Sequence, residues 1–228
     1  MVDERYARNI GTISEQENIM LAKKRVCVIG CGGLGGYVIE SLGRMGVGHI
    51  TAVDFDVFEP SNLNRQLVSE TGLLGVSKAR SAKARMERVN PLINVKAEEI
   101  RFEESSAKEL LRGHDVVVDA LDSISARMLL QEKCAELGIP LVHGAIVGWY
   151  GQITVIMPGD CTLEKLYPPG VERGAEAVLG NPSFTPAVVG SIQACEAVKL
   201  LIKRGRTLQN RVLSIDLLNQ EFVVFELK

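Results

Sequence analysis

Short apolar runs separated by segments of helical period make up the first two-thirds of the chain. Runs at RVCVI (25–29), HITAVDFD (49–56), 94–100, DVVVDAL (115–121) and 140–142 have the length and apolar content of buried strands. Between them, 34–45, 77–89, 106–111 and 124–137 carry apolar residues at helical spacing. Ser77 is placed to cap its helix, Asn90-Pro91 stops it, and Gly138 closes the fourth. Strand and helix in alternation predict an α/β fold, a Rossmann-like doubly wound sheet that is mostly parallel and covered on both faces.

The rhythm changes near residue 146. WYGQITVIMP reads as a strand of an antiparallel C-terminal extension, and residues 159–184 mix Gly, Pro and charge without a period, as a long mobile loop would. A helix over 184–203 runs through small residues, and RVLSIDLLNQEFVVFELK reads as a hairpin about Leu218-Asn219. The expected organisation is one domain: an N-terminal arm (1–24) with a short amphipathic helix, a nucleotide-binding core (25–145), and an antiparallel part with the loop (146–228).

Composition narrows the setting. With 228 residues, 46% hydrophobic and 24% charged, the chain can bury a sizeable core, and its net charge of −2 argues against a general nucleic-acid surface. No basic start followed by a long apolar segment is seen, so neither a signal peptide nor a membrane span is expected and a cytoplasmic location is the default. None of the five cysteines makes a C-x-x-C pair. Cys27, Cys134 and Cys195 are expected to be core thiols; Cys31 lies in a glycine loop and Cys161 in loop-like sequence.

Candidate chemistry begins at VCVIGCGGLGGYVIE (26–40). An apolar run that turns through Gly30, Gly32, Gly33 and Gly35 into a helix places a helix N-terminus where a phosphate can meet it. Asp54 follows at the offset where nucleotide sites set an acid against ribose hydroxyls. A reaction on a triphosphate also needs cations, and Arg65 and Lys78 stand in and after the polar stretch SNLNRQ, with Asn62 and Asn64 able to bond sugar or phosphate oxygens. Asp119 and Asp122 fall at the carboxyl end of the fourth strand; Asp122, further into the loop, is the better Mg²⁺ ligand.

In their order and spacing, Gly30-Cys-Gly-Gly-Leu-Gly-Gly36, Asp54-Phe-Asp56, Ser61-Asn-Leu-Asn-Arg-Gln66, Gly75-Val-Ser-Lys78 and Asp119-Ala-Leu-Asp122 resemble the ThiF/MoeB/HesA family, the bacterial relatives of ubiquitin-activating enzymes. GQITV (151–155) and VVGSIQACEAVKLL (188–201) are similar to the same family. The resemblance implies ATP-dependent adenylation of the C-terminal carboxylate of a small ubiquitin-like sulfur-carrier protein ending in Gly-Gly. It implies a nucleotide site built from Gly30, Gly32, Gly33, Leu34, Gly35, Asp54, Asp56, Ser61, Asn62, Asn64, Arg65, Lys78, Asp122 and Ser123. Arg65, Lys78 and Asp122 would carry the chemistry, Asp122 holding Mg²⁺, and Arg8 would reach across a homodimer to the partner's phosphates. The attacking carboxylate, with a pKa of roughly 3.5, is already ionised and needs no general base. His49, His114 and His143 are accordingly expected to be structural.

Three departures from the family shape the expectation. Many relatives carry two zinc-binding C-x-x-C pairs; here CTLEKLYP has Glu164 at the second ligand position, so no zinc site is expected and packing should hold the terminal hairpin. Some relatives have a cysteine eight residues before the proline opening the last long helix, where this chain has Val178. Cys161 is the remaining candidate for a covalent role, but the expected enzyme makes the acyl-adenylate and leaves sulfur transfer to others. Ser123 stands where carrier activators usually have Asn, and Asp-Ser also occurs in the branch that cyclises threonylcarbamoyl-adenosine on tRNA. That tRNA dehydratase is the alternative.

Overall fold

The computed structural model describes residues 2–167 and 179–227. Eight strands form one sheet: β1 (Arg25–Ile29), β2 (His49–Val53), β3 (Asn94–Glu98), β4 (Val116–Asp119), β5 (Leu141–Val147), β6 (Tyr150–Ile156), β7 (Arg211–Asp216) and β8 (Glu221–Glu226). Their order is β3-β2-β1-β4-β5-β6-β7-β8, parallel from β3 to β5 and antiparallel from β5 to β8. The mostly parallel sheet with an antiparallel extension is thus the expected fold. β1 lies between β2 and β4, so the winding reverses there and a crevice opens at the carboxyl ends of β1 and β4.

Two apolar layers hold helices to the sheet. Val26 and Val28 of β1 and Val116 and Val118 of β4 face α2 (Gly33–Met45), α3 (Lys78–Val89) and α7 (Phe184–Ile202). Cys27, Ile29 and Val117 point the other way, toward α4 (Glu104–Leu111), α5 (Ile124–Leu137) and α6 (Thr162–Leu166). Strands covered on both faces must be apolar at every position, and VVV of β4 is. Helix α7 is long and apolar enough to cross a bilayer, but it packs on α2 and β5, and that burial accounts for its composition. The arm holds a 3₁₀ turn at Glu4–Asn9 and helix α1 (Glu15–Leu21), opened by a Ser14/Glu17 capping box.

Several boundaries differ from the pattern. β5 runs on to Val147 rather than 142, because its antiparallel ladder with β6 continues past His143, where its pairing with β4 ends. The 159–184 segment contains α6, docked on α5 where Gln131 Oε1 accepts from the Leu163 N–H at 2.8 Å and its Nε2 donates to Glu164 at 2.8 Å. The mobile loop expected there falls partly on residues 168–178, outside the described residues. Cys195 is exposed, not in the core: the buried stripe of α7 passes through Val189, Gln193, Ala194, Glu196 and Ala197 and leaves Cys195 on the outer face. Packing does not hold the final strand either. Every residue of β8 is exposed; its ladder to β7, the Arg206–Glu226 ion pair at 3.2 Å and the Leu227 N–H bond to the Asn210 carbonyl at 2.8 Å keep it in place.

Candidate active site

The crevice at the switch point is a cavity of about 490 Å³. Its floor is the turn from β1 into α2. Gly30 takes φ +99°, and a Cβ there would lie 2.5 Å from the Ala120 carbonyl oxygen; a Cβ at Gly35 would overlap the Gly30 oxygen. These two glycines let the β1 and β4 loops close on each other. Gly32 caps α2 without a side-chain partner, leaving the first helical N–H groups open to a ligand.

Asp54 stands beside this floor and is 9% exposed. Its Oδ2 accepts from the Cys31 N–H at 2.7 Å and its Oδ1 from the Asp56 N–H at 2.9 Å. Burial pushes its carboxyl above the usual range in spite of those bonds. Lys78, 7% exposed at the first turn of α3, donates to Asp56 at 3.0 Å. Arg65 is held over the opposite wall by bonds to the Ser61 carbonyl and Asn64 Oδ1, both 2.9 Å. Asp122 lies on the exposed loop after β4, lines the cavity, and has no hydrogen bond or ion pair among the described residues.

The cavity gathers Gly30, Gly32, Gly33, Leu34, Asp54, Asp56, Arg65, Lys78, Asp122 and Ser123. Four other expected residues support its wall. Gly35 packs beneath Gly30; Asn62 accepts from the Glu59 N–H at 3.1 Å; Ser61 accepts from Arg65; Asn64 bonds the Asn181 carbonyl at 3.0 Å. Arg8 does not line the cavity; it ends the 3₁₀ turn of the arm, exposed.

Residues the sequence pattern did not single out complete the walls. The Arg101 guanidinium stacks on Phe55 at 3.5 Å, and with Ile100 and Phe102 they form an apolar flank. Gln66 and Asn181 line the other flank. Gln66 sat inside the quoted SNLNRQ motif, whereas Asn181 had no signal in its neighbourhood.

Below the loop lies a buried polar chain. Asp119 Oδ1 accepts from the Leu121 N–H at 2.9 Å, and its Oδ2 is 2.6 Å from His143 Nδ1. His143 Nε2 is 3.1 Å from the Tyr167 hydroxyl, which also takes Gln152 Nε2 at 2.9 Å and an Arg127 N–H at 3.1 Å. Arg127 donates twice more to the Leu121 carbonyl, at 3.2 and 2.7 Å. With Nδ1–H donating to Asp119 and the phenol O–H donating to Nε2, every partner is satisfied by a neutral imidazole. Asp119 and His143 are therefore tied up structurally, as is His114, which bonds the Leu111 carbonyl and Thr51.

Burial holds His143 below its usual pKa and does the same to His114. Unfolding frees both to take protons near a pKa of about 6.5. Just below that pH the unfolded chain binds more protons, so stability is lost as pH falls. The melting midpoint is expected to drop between pH 7.5 and 5.5 by calorimetry, and His143→Gln should flatten that slope. A slope identical in the variant would contradict the neutral buried imidazole.

The ThiF family model matches residues 6–228. The SAMP-activating enzyme E1 of Haloferax volcanii is 40% identical over 96% of this chain and 83% of its own. The sulfur carrier protein adenylyltransferase of Thermus thermophilus is 38% identical over 96% and 85%, and the molybdopterin-synthase adenylyltransferase of Haemophilus influenzae 34% over 86% and 82%. Among solved structures, E. coli MccB with ATP superposes at a TM-score of 0.84, 19% identity, covering all of this chain and 72% of MccB. PaaA superposes at 0.81 with 16% identity over 99% and 82%, a likeness of fold alone. Family model, relatives and architecture agree that the chain belongs to the ThiF family.

Proposed function

We propose that this protein uses ATP to adenylate the C-terminal Gly-Gly carboxylate of a small ubiquitin-like sulfur carrier, releasing pyrophosphate. The observation that carries the reading is the joining, in one cavity, of an open helix N-terminus, the buried acid Asp54, the cations Arg65 and Lys78 and the exposed carboxylate of Asp122. The relatives' named substrates favour the carrier over the tRNA alternative, which rests on the Asp122-Ser123 pair alone.

The chemistry asks for little proton transfer. A carboxylate ionised at neutral pH must approach a polyanion, so the barrier is charge repulsion. Asp54 orients the ribose, the α2 N–H groups and Lys78 meet phosphate oxygens, and Arg65 faces the charge that grows on the leaving group. The donor set fits Mg²⁺: Asp54 accepts two backbone N–H groups, Asp56 is paired with Lys78, Glu103 with Ser105, Glu104 with Lys133 and Asp119 with His143. Among the described residues of the cavity Asp122 is thus the carboxylate without a partner, and Mg²⁺ takes one or two carboxylates with phosphate and water. When bound there, the ion would screen the phosphates and steady the departing pyrophosphate.

A homodimer and a cytoplasmic location belong to the same proposal. Arg8 stands exposed, away from its own chain's cavity, as a residue serving a second copy would. The test is exchange of labelled pyrophosphate into ATP with a panel of ubiquitin-fold proteins ending in Gly-Gly. Exchange that depends on a carrier supports the reading, and exchange driven by modified tRNA would replace it with the dehydratase. Mixed Arg8→Ala and Arg65→Ala chains should recover part of the lost exchange through hybrid dimers.

A further inference from the structure

Two side-chain amides on one flank of the cavity have buried oxygens with no partner among the described residues: Gln66 Oε1 and Asn181 Oδ1. An orphaned acceptor costs free energy wherever it is dry, so two lining one cavity point to donors that arrive with a ligand. Both are held firmly. The Gln66 backbone is used on both sides, its N–H donating to Asn62 at 3.0 Å and its carbonyl accepting from the Ser69 hydroxyl at 2.7 Å. Its side chain is 7% exposed and lies over Gly32, at the start of α2. Asn181 is fixed by Asn64 on its carbonyl at 3.0 Å, and the preceding Gly180 carbonyl accepts from the Gly148 N–H at 2.9 Å.

The chemistry of the reactants sorts which donors these are. Phosphate and carboxylate oxygens at neutral pH carry no hydrogens to give. Ribose hydroxyls face Asp54. The purine's amino group belongs with the base, which suits the apolar flank of Phe55, Ile100 and Phe102 across the cavity. What remains is the backbone N–H of the protein tail. Glycine offers no side chain to read, so a Gly-Gly terminus is recognisable only through its main-chain groups and its narrowness. Granting the adenylation reading above, we infer that Gln66 and Asn181 accept hydrogen bonds from the backbone N–H groups of the Gly-Gly tail and hold it for attack on the nucleotide.

The experiment pairs substitutions on the enzyme with the removal of single donors from the tail. Gln66→Met keeps the volume and Asn181→Ala sits on a loop, so the second carries the test should the first fold poorly. Carrier-dependent exchange gives KM for the carrier, and calorimetry gives ATP affinity without it. Each variant is expected to raise KM for the carrier about tenfold and leave ATP affinity within about twofold. A semisynthetic carrier with N-methylglycine at the last or penultimate position should cost the unsubstituted enzyme a similar factor. It should cost little more in the variant that has already lost the matching acceptor.

An unchanged KM in both variants would overturn the inference, since water alone would then satisfy the amides. Equal losses in ATP affinity and carrier KM would overturn it too, by assigning the amides to the nucleotide, as would full additivity with N-methylation. No exchange by the unsubstituted enzyme with any carrier overturns the adenylation reading and this inference with it. Exchange with an unchanged KM removes the inference alone.

Discussion

Asp122→Ala is expected to lower carrier-dependent pyrophosphate exchange by about a thousandfold while the melting midpoint stays where it was. The two halves of that result have separate causes. The carboxylate is exposed and makes no bond or ion pair among the described residues, so its loss leaves no buried group unsatisfied. Substitutions at such surface positions shift stability by roughly half a kcal/mol or less. In the proposed reaction its role is large because it acts through the Mg²⁺ it would hold, and a cation placed on the departing pyrophosphate is worth several kcal/mol, about 3–4 by analogy with other preorganised charges. Asp122→Asn sharpens the test: it keeps the side chain's shape but lacks the charge that would hold a divalent ion. If the Asn variant exchanges within tenfold of the unsubstituted enzyme, Asp122 is not the metal ligand.

How much of this could be read beforehand depends on the range of the signal. The β1 turn was legible because tight packing leaves a local trace. Gly30 and Gly35 must be glycines where two loops touch, and that requirement is written within six residues. Asp54 and Lys78 were legible for the same reason, each sitting at the end or start of a regular element. Arg127 and Tyr167 were not. They meet across forty residues, and Arg127 sits in α5 at a position where a charged residue reads as solvent-facing. Cys195 failed in the opposite sense. The pattern AVVGSIQACEAVKLL is small and apolar all round, so only the packing of α7 on α2 and β5 decides which face is buried.

The buried chain that sequence missed supports the second large effect. Arg127→Met should destabilise the fold by about 3–5 kcal/mol in chemical denaturation, the usual cost of removing one member of a buried charged network. Arg127 is 6% exposed and its guanidinium bonds the Leu121 carbonyl twice and the Tyr167 hydroxyl once. It also lies 3.9 Å from the carboxylate of Asp119, which is fully buried. Methionine fills the space but leaves the carbonyl unpaired and the acid without its nearest cation. Tyr167→Phe is the milder companion: it removes one hydroxyl from His143, Gln152 and Arg127, at about 1–3 kcal/mol. Because both act on one network, the double variant should lose less than the sum of the two. Strict additivity, or an Arg127→Met loss below about 1 kcal/mol, would mean the chain of bonds does not act as a unit. Since Leu121 immediately precedes Asp122, the same variant should also slow exchange, and raising Mg²⁺ should restore part of that loss if the fault is a displaced carboxylate.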